Sequence, residues 1–268
     1  MSDLLTVVDL SIRTAEKELV KNVSFSLPEG ARMGLIGESG SGKSLTALAA
    51  TGLLPPAITA SGSVIIGAQE IIGTPDQALN RMRGSDVAVV FQEPLTALDP
   101  LMKIGDQIGW PVRRRFRREG QTTNREAVRN EVLSLMEQVR LPEPKLMLNR
   151  YPHEISGGQR QRVAIAMAVA CRPKLLIADE PTTALDVTTQ AEVLKLLDGL
   201  VRDYGMSLLF ISHDLPVVAS IVDDVTVLRL GEVVEQGTTR QVFEAPSNPY
   251  SQGLMEAART FDSYLQDI

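Results

Sequence analysis

The sequence predicts an α/β fold: a mostly parallel sheet covered on both faces by helices and interrupted by a helical insertion. Short apolar runs rich in β-branched residues alternate with longer stretches of helical periodicity, the pattern of strands joined by crossover helices. A glycine-rich segment lies between an apolar strand and an Ala/Leu-rich helix. From residue 93 to residue 154 the chain changes to helical periodicity with charged faces, which reads as an insertion in the α/β core.

Taken in order, residues 5–12 and 20–27 read as strands by their β-branched content, and Pro28-Glu29-Gly30 turns the chain into a third strand at 31–36. The helix at 44–54 is stopped by Pro55-Pro56. Residues 64–66 and 87–91 are further short strands. The insertion includes the basic run 113–118 and a helix at 125–139, and is broken by Pro142 and Pro144. Beyond it come a helix at 157–171, a buried strand at 175–178, a helix at 188–204 and a strand at 207–211. A short helix starts at Leu215, and strands at 224–230 and 232–236 follow.

Composition limits the function classes. The 268 residues suit one α/β domain with an insertion or two small domains. With 27 basic and 33 acidic residues the net charge is −6, and aromatic residues make up 4%. A nucleic-acid binder wants a basic footprint and stacking rings, so this balance argues against one. The longest apolar stretch, 163–171, falls short of the roughly 18 residues that a membrane span needs. Met1-Ser2-Asp3-Leu4-Leu5 has no basic region ahead of an apolar one, so no secretory signal is expected. The single cysteine, Cys171, excludes an internal disulfide and a cysteine-based zinc site and suits the cytosol. The sequence shows neither an internal repeat nor a low-complexity tract.

The chemistry concentrates at strand ends. Gly37-Glu38-Ser39-Gly40-Ser41-Gly42-Lys43-Ser44 matches G-x-x-x-x-G-K-[ST] after a strand and before a helix, with Leu45 next. The glycines let backbone N–H groups point inward at phosphate oxygens, and the helix adds the positive end of its dipole. Lys43 neutralises β- and γ-phosphate charge in such a loop, and Ser44 gives its hydroxyl to Mg²⁺. The buried strand Lys174-Leu175-Leu176-Ile177-Ala178 ends in Asp179 and Glu180, at the edge where α/β sheets bind ligands. There Asp179 is a Mg²⁺ holder and Glu180 a polariser of attacking water. His213, after the strand at 207–211, is placed to reach a γ-phosphate, and Gln92, closing another strand, to touch Mg²⁺ or the water. With only His153 and His213 in the chain, no histidine metal cluster forms. Ile155-Ser156-Gly157-Gly158-Gln159 starts a helix with an N-cap serine and two glycines, a second anion site in the same chain.

Together these residues resemble the nucleotide-binding subunit of ATP-binding cassette transporters over about residues 4–240. By that resemblance residues 37–44 are the Walker A loop, Gln92 the Q-loop glutamine, and residues 155–159 the signature motif. Residues 175–179 are the Walker B strand, Glu180 the catalytic glutamate, Ala184-Leu185-Asp186 the D-loop and His213 the switch histidine. The resemblance implies a P-loop NTPase, RecA-like core (1–92 and 155–240) with an N-terminal antiparallel β subdomain. It also implies an inserted α-helical subdomain (93–154) that meets the permease, and a C-terminal helical tail (241–268). Residues 37–46, Phe91-Gln92-Glu93-Pro94-Leu95-Thr96-Ala97-Leu98-Asp99-Pro100, Tyr151-Pro152-His153-Glu154 and Asn248-Pro249-Tyr250 look like the oligopeptide, dipeptide and nickel importer group.

The implied activity is ATP hydrolysis with Mg²⁺ at the interface of two cassettes, alike or paralogous, where Ser156 and Gly158 reach the partner's γ-phosphate. The implied partners are two membrane permease subunits and, indirectly, an extracytoplasmic solute-binding protein, with the chain peripheral on the cytoplasmic face. Cassette ATPases acting on nucleic acid or ribosomes form the alternative class. Their coiled-coil or zinc insertions and tandem cassettes have no counterpart here. The sequence departs from the family at Thr14, where an adenine-stacking aromatic is expected; weak discrimination between ATP and GTP follows.

Overall fold

A computed structural model describes residues 2–93, 97–183 and 185–266, with side chains up to residue 258. Contacts divide the chain into two units, Met1–Arg81 with Ser207–Ile268, and Met82–Met206. The second unit takes in both sides of the stretch 93–154 that composition marks as helical.

In the first unit, β1 (Asp3–Arg13), β2 (Glu18–Pro28), β4 (Thr59–Ile66) and β5 (Gln69–Glu70) form an antiparallel sheet in the order β2-β1-β4-β5. Val23, Phe25 and Leu27 alternate into the core along β2, the two-residue period of a half-buried strand. The register shifts between Val7 and Leu10, where Asp9 takes φ 48° and its N–H is satisfied by Ser24 Oγ at 2.8 Å.

The same unit holds β3 (Arg32–Ile36), parallel to both β8 (Ser207–Ile211) and β9 (Asp224–Arg229), with β10 (Glu232–Thr238) antiparallel to β9. β8 is buried along its whole length and β3 from Met33 on, because a parallel sheet is covered on both faces. α1 (Lys43–Thr51) follows β3 and stops at Gly52, whose left-handed backbone lets its N–H reach the Ala49 and Leu48 carbonyls. The helix thus ends before Pro55-Pro56. The short β5 and α2 (Asp76–Met82) lie outside the sequence-based reading, and β4 begins at Thr59 rather than residue 64. The unit closes with α8 (Leu215–Ile221), α9 (Thr239–Glu244) and α10 (Pro249–Gln266).

In the second unit β6 (Val87–Val90) runs parallel to β7 (Leu175–Asp179), Val90 opposite Ala178. Around this pair the chain forms α3 (Ile104–Arg118), α4 (Arg125–Gln138), α5 (Pro144–Met147), α6 (Gly157–Val169) and α7 (Val187–Tyr204). Ile104, Ile108, Val112 and Phe116 make the buried stripe of α3 at helical spacing. Asn124 caps α4 by accepting from the Ala127 N–H at 2.8 Å.

The basic run 113–118 is not a uniform solvated face. Arg115 is 2% exposed, donating to the Ala170 carbonyl at 2.9 Å and to the Glu131 carboxylate. Arg118 donates to the Cys171 carbonyl at 3.0 Å. These guanidiniums tie α3 to the end of α6 and to α4.

Candidate functional site

The loop from Gly37 to the start of α1 follows β3. Gly37, Gly40 and Gly42 have φ of 146°, 80° and 103°, a backbone that other residues rarely adopt. At Gly37 a Cβ would stand 2.1 Å from the Leu228 carbonyl oxygen, so only glycine fits there. The Gly231 N–H donates to the Ser41 carbonyl at 3.1 Å, which fixes the loop against the turn between β9 and β10.

Lys43 is 4% exposed and its Nζ donates to the Gly37 and Glu38 carbonyls at 2.8 and 2.9 Å. The lysine folds over its own loop, a cation already gathered where anionic oxygens are to be met. Ser41 Oγ is buried without a hydrogen-bond partner, which costs free energy unless a ligand supplies the missing bond. Glu38, Ser39, Gly40 and Ser44 lie exposed. A glycine-shaped cradle, a gathered lysine, an orphaned hydroxyl and an open rim fit a polyphosphate.

His213 belongs to the same unit and the same sheet edge. β8 is the parallel neighbour of β3, with Ile211 opposite Leu35, so His213 and the loop both follow strand C-termini. It is exposed, and Asp214 after it caps α8 by accepting from the Val217 N–H at 3.3 Å. A further contact reaches the loop from far along the chain: the Glu38 N–H donates to the Tyr250 hydroxyl at 3.3 Å.

The second unit repeats this arrangement with acids. Gln92 follows β6, while Asp179 ends β7 and Glu180 comes directly after it, adjacent parallel strands again. Asp179 is 7% exposed. Glu180 Oε2 accepts from Gln92 Nε2 and from Thr183 Oγ1, each at 3.0 Å. Glu180 also takes φ 45°, a conformation costly for a side chain of this size. Gln92 and Thr183 therefore aim a carboxylate on a strained backbone.

Ser156 caps α6 through a capping box: it accepts from the Gln159 N–H at 3.3 Å, and Gln159 Oε1 accepts from the Ser156 N–H at 3.0 Å. Ser156 and Gly157 are exposed and Gly158 is half-buried. A Cβ on Gly158 would lie 2.5 Å from Thr189 Cγ2, so the glycine lets the start of α6 approach the first turn of α7. Asp186 caps α7, accepting from Thr189 N–H and Oγ1 at 3.0 and 2.8 Å. Those bonds hold its carboxyl below the ordinary carboxylate value. Ala184 of the expected D-loop lies outside the described residues.

The sequence-based set thus falls into three groups: residues 37–45 with His213 in the first unit, Gln92 with Asp179 and Glu180 in the second, and residues 156–159 at the start of α6. Two contacts escaped the sequence reading. Thr183 lies three residues after Glu180, a spacing at which a hydroxyl reaches back locally. Tyr250 is signalled only by the Asn248-Pro249-Tyr250 pattern. Among the described residues no cluster of three or more His, Cys, Asp or Glu side chains could hold a metal ion alone. Of the oxygen donors expected from the sequence for a cation, Ser44 lies in the first unit and Gln92 and Asp179 in the second, each unit by itself offering an incomplete set.

Comparison with known proteins identifies the family. Residues 20–183 match the family model described as ABC transporter. The oligopeptide transport ATP-binding protein OppD of Haemophilus influenzae is 44% identical over 266 residues, covering 98% of this chain and 81% of that protein. The glutathione import ATP-binding protein GsiA of Escherichia coli K12 is also 44% identical over 266 residues, but there the match covers 95% of this chain and 42% of that protein. The solved dimeric post-hydrolysis state of the ATP-binding cassette MJ0796, bound to ADP and Pi, is similar at a TM-score of 0.77 and 29% identity. It covers 88% of this chain and 99% of that one. The chain therefore belongs to the ABC transporter family as an ATP-binding cassette.

Proposed function

We propose that the chain is the ATP-hydrolysing subunit of an importer, coupling ATP binding and hydrolysis at a cassette dimer interface to uptake of peptides, nickel or a related small solute. The observation that carries this reading is the Glu180 carboxylate, held by Gln92 and Thr183 beside Asp179 at the end of a buried strand. A carboxylate aimed in this way orients water for in-line attack on a γ-phosphate. Its remaining lone pairs accept the water's proton density while Gln92 keeps it from rotating away.

Lys43 leaves the Gly37 and Glu38 carbonyls for β- and γ-phosphate oxygens, and His213 stabilises charge developing on the γ-phosphate. Ser44, Asp179 and Gln92 would be this chain's donors to Mg²⁺. When bound, the ion would supply neutralisation of phosphate charge. Ser156, Gly157, Gly158 and Gln159 present the start of α6 to the nucleotide of a second cassette, identical or paralogous. The capping box leaves the outer N–H groups of that helix end for an anion.

The partners in this reading are that second cassette, two transmembrane permease subunits met through the insertion 93–154, and indirectly an extracytoplasmic solute-binding protein. The chain sits peripherally on the cytoplasmic face of the membrane. No helix among the described residues is long and apolar enough to cross a membrane, in keeping with an ATPase that borrows its pore from other subunits. The names of OppD and GsiA, transport and import ATP-binding proteins, support an importer.

Glu180→Gln keeps the shape and the Thr183 contact but removes the charge that aligns the water. In the complex purified through a tag on this chain, two hydrophobic permease subunits are expected to accompany both forms. The variant is expected to bind ATP as the native protein does and to lose at least about 100-fold in turnover. Purification without permeases, or a variant that hydrolyses ATP at near-native rate, overturns the reading.

A further inference from the structure

The final helix of the first unit begins against the phosphate loop. Tyr250 is the second residue of α10, and its hydroxyl oxygen accepts from the Glu38 N–H. That N–H belongs to the same peptide group as the Gly37 carbonyl, to which Lys43 Nζ donates at 2.8 Å. One peptide group thus links the phenol on one side to the lysine on the other. Hydrogen bonds in such a chain polarise and strengthen one another.

The phenol is itself anchored. The Arg229 guanidinium lies over its ring, 4.8 Å from the centroid, and the Tyr250 N–H donates to Asn248 Oδ1 at 2.9 Å. Asn248 is fastened to β10, donating from Nδ2 to the Val234 carbonyl at 3.1 Å and from its N–H to Glu235 at 3.3 Å. Ser247 adds its N–H and hydroxyl to the same carboxylate at 2.6 and 2.8 Å. Burial pushes the Tyr250 phenol above its ordinary value, so the hydroxyl stays protonated at physiological pH.

We infer that Tyr250 is a positioning residue for ATP: by fixing the peptide between Gly37 and Glu38 it sets the position from which Lys43 moves to the phosphates, so the segment 247–250 tunes nucleotide affinity. A loop already held in its binding shape loses less freedom when the phosphates arrive. The inference rests on ATP binding by the phosphate loop and not on the cargo or the permease.

The test is equilibrium binding of a ribose-labelled fluorescent ATP to the full chain, paired with the thermal unfolding midpoint of the nucleotide-free protein. Tyr250→Phe keeps the ring, the Arg229 contact and the helix but removes the acceptor. Its Kd is expected to rise about two- to tenfold, the worth of one ordinary hydrogen bond, with the unfolding midpoint unchanged. Asn248→Ala, which releases the tether but keeps the phenol, is expected to raise Kd in the same direction. It serves alone if Tyr250→Phe does not fold. Native affinity in the folded variants, or an affinity loss matched by a fall in unfolding midpoint, overturns the inference.

Discussion

Truncating Arg115 to alanine removes a guanidinium that three parts of the second unit share. Its Nη1 serves the Ala170 carbonyl just beyond α6, its Nη2 serves Glu131 of α4, and its Nε lies 3.7 Å from Glu119. Arg115 is 2% exposed and Glu131 26%. Removing one member of a buried ion pair costs roughly 3–5 kcal/mol, because the other charge is left without compensation. Glu131 retains some access to water, which places the loss near the lower bound, about 3 kcal/mol. At roughly 2–4 °C per kcal/mol for a chain of this size, the melting temperature falls by about 6–12 °C. Arg117→Ala, on the exposed side of the same helix, is expected to change stability by no more than about 0.5 kcal/mol.

Urea unfolding followed by circular dichroism gives both numbers. A cycle with Glu131→Gln isolates the pair: the double variant is expected to be more stable than the sum of the single losses implies, by about 1–3 kcal/mol. A loss below about 1 kcal/mol for Arg115→Ala, or strict additivity in the cycle, refutes the reasoning.

Glu70 predicts a pH dependence. Burial works to raise its pKa, but bonds from Ser63 Oγ (2.5 Å) and the Val64, Ile72 and Ile71 N–H groups (3.0, 3.0 and 2.9 Å) outweigh it and hold the carboxyl below its ordinary value. A depressed carboxylate contributes stability that is present above its unfolded pKa of about 4.3 and lost as pH falls through the folded one. Glu70→Gln should therefore lower the unfolding midpoint clearly at pH 7 and little at pH 3; equal decrements at both would contradict this. Thr14 predicts base tolerance: its Oγ1 is occupied by the Lys17 and Glu16 N–H groups at 3.1 and 3.3 Å, and the turn carries no ring to stack on a base. Affinities for ATP and GTP are expected within about tenfold, since a stacking contact is worth roughly 1–3 kcal/mol; a preference for ATP above about 100-fold would refute it.

The fold was legible wherever burial imposes a period. The runs in β2, β7 and β8 could be located by hydrophobicity alone, and the phosphate loop by glycines whose backbone angles few other residues tolerate. What escaped is nonlocal or marginal in length. β5 has two residues and cannot show alternation. α1 ends at Gly52 through a local cap rather than at the prolines beyond. The role of Arg115 depends on partners 16 and 55 residues away, so a run of arginines looks alike whether its members are buried or solvated. Of the site, the strand-end acids were readable by position. The Thr183 bond and the phenol from Tyr250 depend on side-chain directions that only the folded chain defines.

Glu180 has a consequence for how this chain could drift. Its backbone at φ 45° stores strain of about 1–3 kcal/mol, which glycine at the same position would relieve. Selection for heat resistance alone, in a screen blind to turnover, would enrich Glu180→Gly among the survivors. Such variants would fold better and keep the rest of the cassette intact while losing the carboxylate altogether. Glu180 shares this backbone region with six other non-glycine residues, among them Arg172 and Leu230, but it alone among them is the carboxylate proposed for hydrolysis, so a stabilised library of this protein has to be sorted on hydrolysis as well as on melting.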